Sequence, residues 1–468
     1  MRLRIVICKN KMIMKKYCFV IGFSLSIIFF ISCSKEWLDE KPDKNLTVPE
    51  TLDDFEAMLD NLDMNSRSAL TLGELATDGH YVLESRWATG FPDFLSNAYT
   101  WSNERPYVNI ADWNSPYYCI STSNVVLEGI GKIKSTGENS ERMRRIRGGA
   151  LFNRARHLYE LAQVFCPPYN GLSSELDLGL PLRFESDINI RSVRSTLKAT
   201  YQAIIDDLME AKNLLPIRPI FKTRASQPAV FALLSKVYLS MGNYEESGDF
   251  ADSCLVLYST LLDFNKINTS ANFIGTFNDE VIFHSIGSPY NMLTSSGKIE
   301  KTLYDSYLMD DLRKKAFFRI ESAGTIVFKG NYYNSTTNLF LGLSTSDLYL
   351  IRAECFARKG DVEKAMRDLN LLLLNRYDSN TFVPIVAENS NDALHKVLSE
   401  RKKEFVLRGQ RWTDLRRLNT DPQFAETLTR TIGGNTYILE PNSFRYTFPI
   451  PDDVIQLSGI QQNIGWER

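Results

Sequence analysis

The chain has 468 residues, of which 44% are hydrophobic and 24% charged, with a formal net charge of −2. That is ordinary globular composition, enough for one large domain or two or three small ones. The near-neutral balance gives no electrostatic case for nucleic acid. Aromatic residues stand at 12%, with 21 Tyr and 27 Phe, which suits either a large core or an aromatic binding surface.

In chain order, the first element is a targeting segment. Lys15 and Lys16 precede an apolar run from Tyr17 to Ile31. The run is shorter than the roughly 20 residues a membrane-spanning helix needs, and its lysines and small flanking residue read as a secretory signal over residues 1–32. Phe30-Ile31-Ser32-Cys33 resembles a bacterial lipobox. That resemblance implies cleavage before Cys33, lipidation of Cys33 and an N-terminal lipid anchor in a membrane. Residues 33–48 are polar and read as a tether, and no second apolar run of membrane length follows. Cys119, Cys166, Cys254 and Cys355 form no C-x-x-C pair, so neither a zinc site nor a redox motif is indicated. The four histidines are isolated, without metal-ligand spacing.

Residues 49–64 carry Leu52, Phe55, Met58, Leu59 and Leu62 at helical spacing. Residues 77–112 have no sustained period and are rich in Gly, Asp, Asn, Ser and aromatics, which predicts a long irregular segment of the kind that often carries function. Helical pattern returns at Trp113, whose spacing to Tyr117 and Ile120 places it in the core. Helices then fill about 143–216, ended by Pro167-Pro168 and by Pro216. Residues 258–345 are mixed and loop-rich, with strand-like VIFHSI and SAGTIVFKGNYY. Helices resume over 346–376 and 392–419.

Two helical hairpins repeat each other. Ser235, Tyr238, Gly242, Ser247, Ala251 and Cys254 recur as Ala353, Phe356, Gly360, Ala365, Leu369 and Leu372 at one constant offset. Small residues let two helices cross closely, the aromatic fills the gap, and the glycine closes the first helix. This is the tetratricopeptide hairpin pattern. The expected architecture over 49–468 is a single mostly α domain. Its hairpin scaffold (about 143–216, 226–256, 346–376 and 392–419) would carry long irregular loops at 77–112 and 258–345 and a few short strands.

An ordered set of motifs resembles the SusD/RagB family of nutrient-binding surface lipoproteins. It comprises Gly149 to Ala155, the turn Gly179-Leu180-Pro181-Leu182, Tyr349-Leu350-Ile351-Arg352-Ala353-Glu354, Glu400 to Phe405, Gly409 to Arg416, Phe448-Pro449-Ile450-Pro451, and Gln462 to Trp466. Ile464 and Trp466 depart from the family's Pro and Tyr at the end, and Arg408 stands where an acid is usual. The resemblance runs from Cys33 to the C-terminus. It implies a non-catalytic, cofactor-free protein, lipid-anchored at the outer membrane of a Gram-negative bacterium, that binds oligosaccharide and delivers it to a SusC-like TonB-dependent transporter. A peptide ligand, as for RagB-like members, and a surface glycoside hydrolase are the alternatives. The spacing of Glu400, Arg401, Glu404, Arg411, Asp414 and Arg416 is that of helix ion pairs, so this cluster reads as structural rather than catalytic.

A sugar ring has apolar faces and a polar edge, so its site needs aromatic platforms flanked by donors and acceptors. The resemblance puts that site on the loops. The candidate platforms there are Tyr81, Trp87, Tyr99 and Trp101 in the first loop segment and Tyr290, Tyr332 and Tyr333 in the second. Asp78, Arg86, Asn97 and Asn103 are the candidate polar edge. Trp87, bracketed by Arg86 and Ala-Thr-Gly, is the leading candidate and is expected to affect binding more than melting temperature.

Overall fold

A computed structural model describes residues 48–104 and 106–467. The signal segment, Cys33 and nearly all of the tether lie outside the described residues. The described residues from Thr51 onward fold as one compact unit.

The scaffold is a series of helices, most of them packed on their predecessor. A capping box between Thr51 and Asp54 starts α1 (Leu52–Asp60), where the sequence predicts a helix. The two longest helices, α2 (Ala111–Lys132) and α3 (Ser140–Phe165), pack along each other, and α4 (Leu197–Ala211) covers α3. Then α5 (Gln227–Ser240) pairs with α6 (Tyr244–Leu257), α6 contacts α7 (Thr345–Lys359), and α7 pairs with α8 (Val362–Leu374). Helix α9 (Ser390–Glu404) closes the array against α7 and α8, and α10 (Arg411–Leu418) returns toward α5.

The repeated hairpins form as their small residues dictate. Where α5 crosses α6, the Ser235 hydroxyl donates to the Ser247 carbonyl (2.9 Å) and the Ser247 hydroxyl donates to the Ser235 carbonyl (2.8 Å). Tyr238 stacks on Phe250 with ring centroids 5.6 Å apart. Ala353 and Ala365 take the serines' places in the second hairpin, both fully buried. Gly242 and Gly360 adopt φ of +73° and +89°, the left-handed conformation that ends a helix where only glycine is unstrained.

Helix α3 is buried all round from Ala150 to Phe165, so its polar side chains need internal partners. Arg154 forms a two-point bond with Asp207 (2.7 Å for both) and donates to Asn124 (2.9 Å). Arg416 donates to the carbonyls of Gln163 and Cys166 at the C-terminal end of α3, where orphan carbonyls and the helix dipole favour a cation. Arg401 joins Asp414 and Asp347, and Arg411 joins Asp78. Each charged residue of the C-terminal motif is thus tied into the fold.

Small two-stranded sheets decorate the scaffold. Val281–Phe283 and Ile326–Phe328 lie within the two segments read as strands, and they pair with Leu343–Ser344 and Phe318–Ile320, which lie outside those segments. The hairpin Leu428–Ile432/Asn435–Leu439 is an element beyond those predicted from sequence. Its signal was present, because Gly433-Gly434 at φ +61° and +73° gives the two-residue turn that matches strand twist.

The four cysteines are buried, free thiols. Burial pushes Cys119 and Cys355 up to about 12 and Cys166 up to about 11. We expect the mature fold, expressed without Cys33, to react negligibly with a thiol reagent at pH 8 until denaturant is added, and then to titrate four thiols. Rapid native labelling would place a thiol at the surface.

Candidate ligand face

Two loop segments distant in sequence meet. The strand His80–Val82 pairs antiparallel with Gly297–Ile299, Tyr81 lying opposite Lys298. Beyond the strand, the short helix Glu84–Trp87 carries Arg86 and Trp87 out of the core. Arg86 stacks its guanidinium 3.9 Å above the Phe91 ring and donates to the Ser296 hydroxyl (3.2 Å). Trp87 leans on Phe91 and Tyr99 at 6.1 and 5.8 Å between centroids, and its indole edge abuts the Gly433 turn. Phe94 meets Tyr290 edge-on at 5.6 Å. Trp87, Phe91, Phe94 and Tyr290 are all half-buried, so each keeps part of its surface open.

Tyr290 is held from behind. Its hydroxyl donates to Asp112, which also accepts from the Thr71 hydroxyl (2.5 Å) and the Leu72 N–H (2.8 Å). Burial lifts the Asp112 carboxyl to about 6, against the three hydrogen bonds that oppose the rise. One side chain thus fixes both the scaffold and a loop aromatic.

The loop from Pro289 to Ser296 is a ridge. On its other side lies a cleft of about 510 Å³. Its walls are rich in amides and hydroxyls, among them Asn272, Asn291, Thr294, Ser295, Thr336 and Thr337, with Phe273 and Phe328 beside them. A second concavity of about 240 Å³ is built from scaffold residues, including Leu59, Ile146 and Leu215, rather than from these loops.

The sequence candidates divide accordingly. Arg86, Trp87 and Tyr290 come together, while Tyr81 is half-buried on its strand and Asn103 is exposed. Three platforms need correction. Tyr99, Trp101 and Tyr332 are core residues, 1%, 4% and 0% exposed, and offer no face to a ligand. Arg430 covers the Tyr99 ring at 3.7 Å, the Trp101 indole donates to the Ala76 carbonyl (2.8 Å), and Tyr332 lies under Arg408 at 3.6 Å. Two polar candidates are also committed. Asp78 is clamped by Arg411 and Lys402, each at 2.7 Å, and Asn97 donates to the Glu104 carbonyl (3.2 Å). Tyr333 stays half-buried beside His284. Sequence reasoning missed Phe91 and Phe94, although both sit in the segment it singled out.

A mostly helical scaffold of tetratricopeptide-like hairpins, with its irregular loops gathered at one ridge and cleft, defines the class of protein. Residues 36–239 match the family model described as "Starch-binding associating with outer membrane", and residues 329–466 match that of the SusD family. The chain belongs to the SusD/RagB family. Crystal structures share the fold. A SusD superfamily protein from Bacteroides vulgatus aligns at 21% identity and TM-score 0.74, over 90% of this chain and 100% of its own. One from Bacteroides thetaiotaomicron aligns at 20% and 0.71, over 88% and 99%. A SusD-like carbohydrate binding protein from Bacteroides vulgatus aligns at 18% and 0.68, over 88% and 97%. No curated protein matches the chain.

Proposed function

We propose that the protein captures oligosaccharide at the outer membrane and passes it to a SusC-like TonB-dependent transporter without transforming it. The observation that carries this reading is the meeting of the two loop segments. It sets half-open aromatic rings and a stacked arginine beside a cleft lined with amides and hydroxyls, the two chemistries a sugar presents. The family description and the carbohydrate-binding neighbour support the ligand class.

Passive binding is supported by the cleft's acids. Glycoside hydrolysis ordinarily needs two carboxyl groups, one with a raised pKa. Glu321 is the carboxylate lining the cleft among the described residues, and Lys298 and Thr325 hold it below its usual range. Among the described residues no helix is long and apolar enough to cross a membrane. On this reading residues 1–32 are removed, Cys33 bears the anchor, residues 33–48 tether, and the domain from residue 49 binds.

The test is calorimetric titration of the protein, starting after Cys33, with glycan fragments and a peptide pool, with reducing ends assayed alongside. Trp87→Ala should weaken glycan binding about tenfold, the scale of a lost stacking contact. Because Trp87 also packs on the core, its melting temperature should fall too, unlike the sequence expectation. Tyr290→Phe separates the effects, losing the bond to Asp112 but not the ring. It should weaken binding about two- to fivefold, a fraction of the worth of that hydrogen bond to a carboxylate. Binding to peptides alone would move the function to peptide uptake, and released reducing ends would make the protein a hydrolase.

A further inference from the structure

The cleft's charge is not balanced. The hairpin Phe318–Ile320/Ile326–Phe328 sets Arg319 opposite Val327. Side chains alternate along a strand, so Arg319 and Glu321 share a face with Val327 and Lys329, and all four line the cleft. Glu321 is spent on Lys298 (2.7 Å) and on the Thr325 hydroxyl (2.8 Å). The Lys329 ammonium is held only by the carbonyls of Thr269 (2.8 Å) and Ala271 (2.9 Å), so no carboxylate is bonded to it among the described residues. Arg319 is exposed and makes no hydrogen bond or ion pair among the described residues. Three cations therefore face one carboxylate across about 510 Å³.

Two of those cations also act on each other. Burial, then the Arg319 charge, pushes the Lys329 ammonium below its ordinary range. Lys329 pins two loop carbonyls, but neither it nor Arg319 forms a salt bridge among the described residues, and both line a concavity of sugar-type hydrogen-bonding groups. An anionic oxygen between them would remove the repulsion and gain charge-assisted hydrogen bonds.

We infer that the cleft selects an anionic saccharide, one bearing carboxylate or sulfate, with Arg319 and Lys329 receiving the acidic group and the hydroxyl and amide wall receiving the ring. This inference rests on the proposed saccharide-binding function and narrows its ligand class.

The experiment compares four probes on the same protein: an oligogalacturonate, a sulfated galactan fragment, a neutral galacto-oligosaccharide of equal length, and poly-glutamate. One acidic sugar should bind about tenfold or more tighter than the neutral one, the scale of a charge-assisted hydrogen bond, and lose that margin as salt rises. Which one does so tells carboxylate from sulfate. Arg319→Gln lies on an exposed strand position, so its melting temperature should not change, yet it should erase most of the preference. Lys329→Gln is second, because Lys329 also pins loop carbonyls. Equal affinity for neutral and acidic sugars, or an unchanged preference in Arg319→Gln, overturns the inference while the saccharide function stands. Poly-glutamate binding as well as the acidic sugar overturns it too. Failure of every sugar removes both.

Discussion

Replacing Arg376 with methionine will destabilise the fold by about 3–5 kcal/mol, the cost of removing one partner from a buried ion cluster. Arg376 is fully buried between the loop-rich segment and the end of α9. It bonds Glu280 (2.5 Å) and Glu404 (2.8 Å) and donates to the Leu262 carbonyl (2.8 Å). Burial works against ionised Glu404, yet Arg376 and Arg313 hold its carboxyl below the ordinary range. Without Arg376, Glu280 keeps only the Tyr332 hydroxyl and the Leu262 N–H among the described residues, and its buried carboxyl has no cation bonded to it. Lysine will not rescue, because one ammonium cannot reproduce a planar fork that spans two carboxylates and a carbonyl. Thermal melts and soluble yield check this. The double variant Arg376→Met/Glu280→Gln should recover part of the loss, since it removes the carboxylate left without a cation, whereas Glu404 keeps Arg313. If Arg376→Met melts with the parent, the cluster contributes geometry rather than stability.

That cluster shows what a sequence reveals and what it hides. The scaffold was legible because its signals are local. Ser235 and Ser247, Gly242 and Gly360, and the helix-ending prolines each act within one or two turns of where they stand. The segment 77–112 was misread for the opposite reason. Tyr99 and Trp101 look like free platforms in a polar stretch, but Arg430, on a hairpin far along the chain, covers both rings. Asp78 looks like a free acid, but Arg411 and Lys402 arrive from the C-terminal motif. Likewise nothing local to Arg86 announces Ser296. The site is made of such non-local encounters, so residue type gave its chemistry and only the fold gave its membership.

Glu74→Gln should stabilise the protein by several kcal/mol above pH 8 and not at pH 5. Glu74 lies buried in the short helix Leu70–Leu75. Burial raises its carboxyl to about 8, helped by Asp78 and Asp414 and opposed by the Gly409 N–H and Arg411. Oε2 has no hydrogen-bond partner. Since the folded value exceeds the ordinary 4.5, the folded state binds more protons between the two values. The stability this confers is complete below about 4.5 and is lost as pH climbs through about 8, about 5 kcal/mol in all from the size of the shift. Three other groups titrate lower. Asp112, at about 6, acts in the same direction but is finished by pH 7. His80 at about 3 and His284 at about 4 act oppositely, favouring the fold as pH rises toward 6.5, and are also finished by then. Melting the parent between pH 7 and 8, below the range in which the unfolded cysteines ionise appreciably, therefore isolates Glu74, and its melting temperature should fall across that range as about 1 kcal/mol is lost. Glu74→Gln should remove that fall, keep the Gly409 contact through its amide oxygen, and melt above the parent throughout. A variant that melts lower at both pH 5 and pH 9 would mean that Glu74 is ionised and paired, and that the burial argument fails.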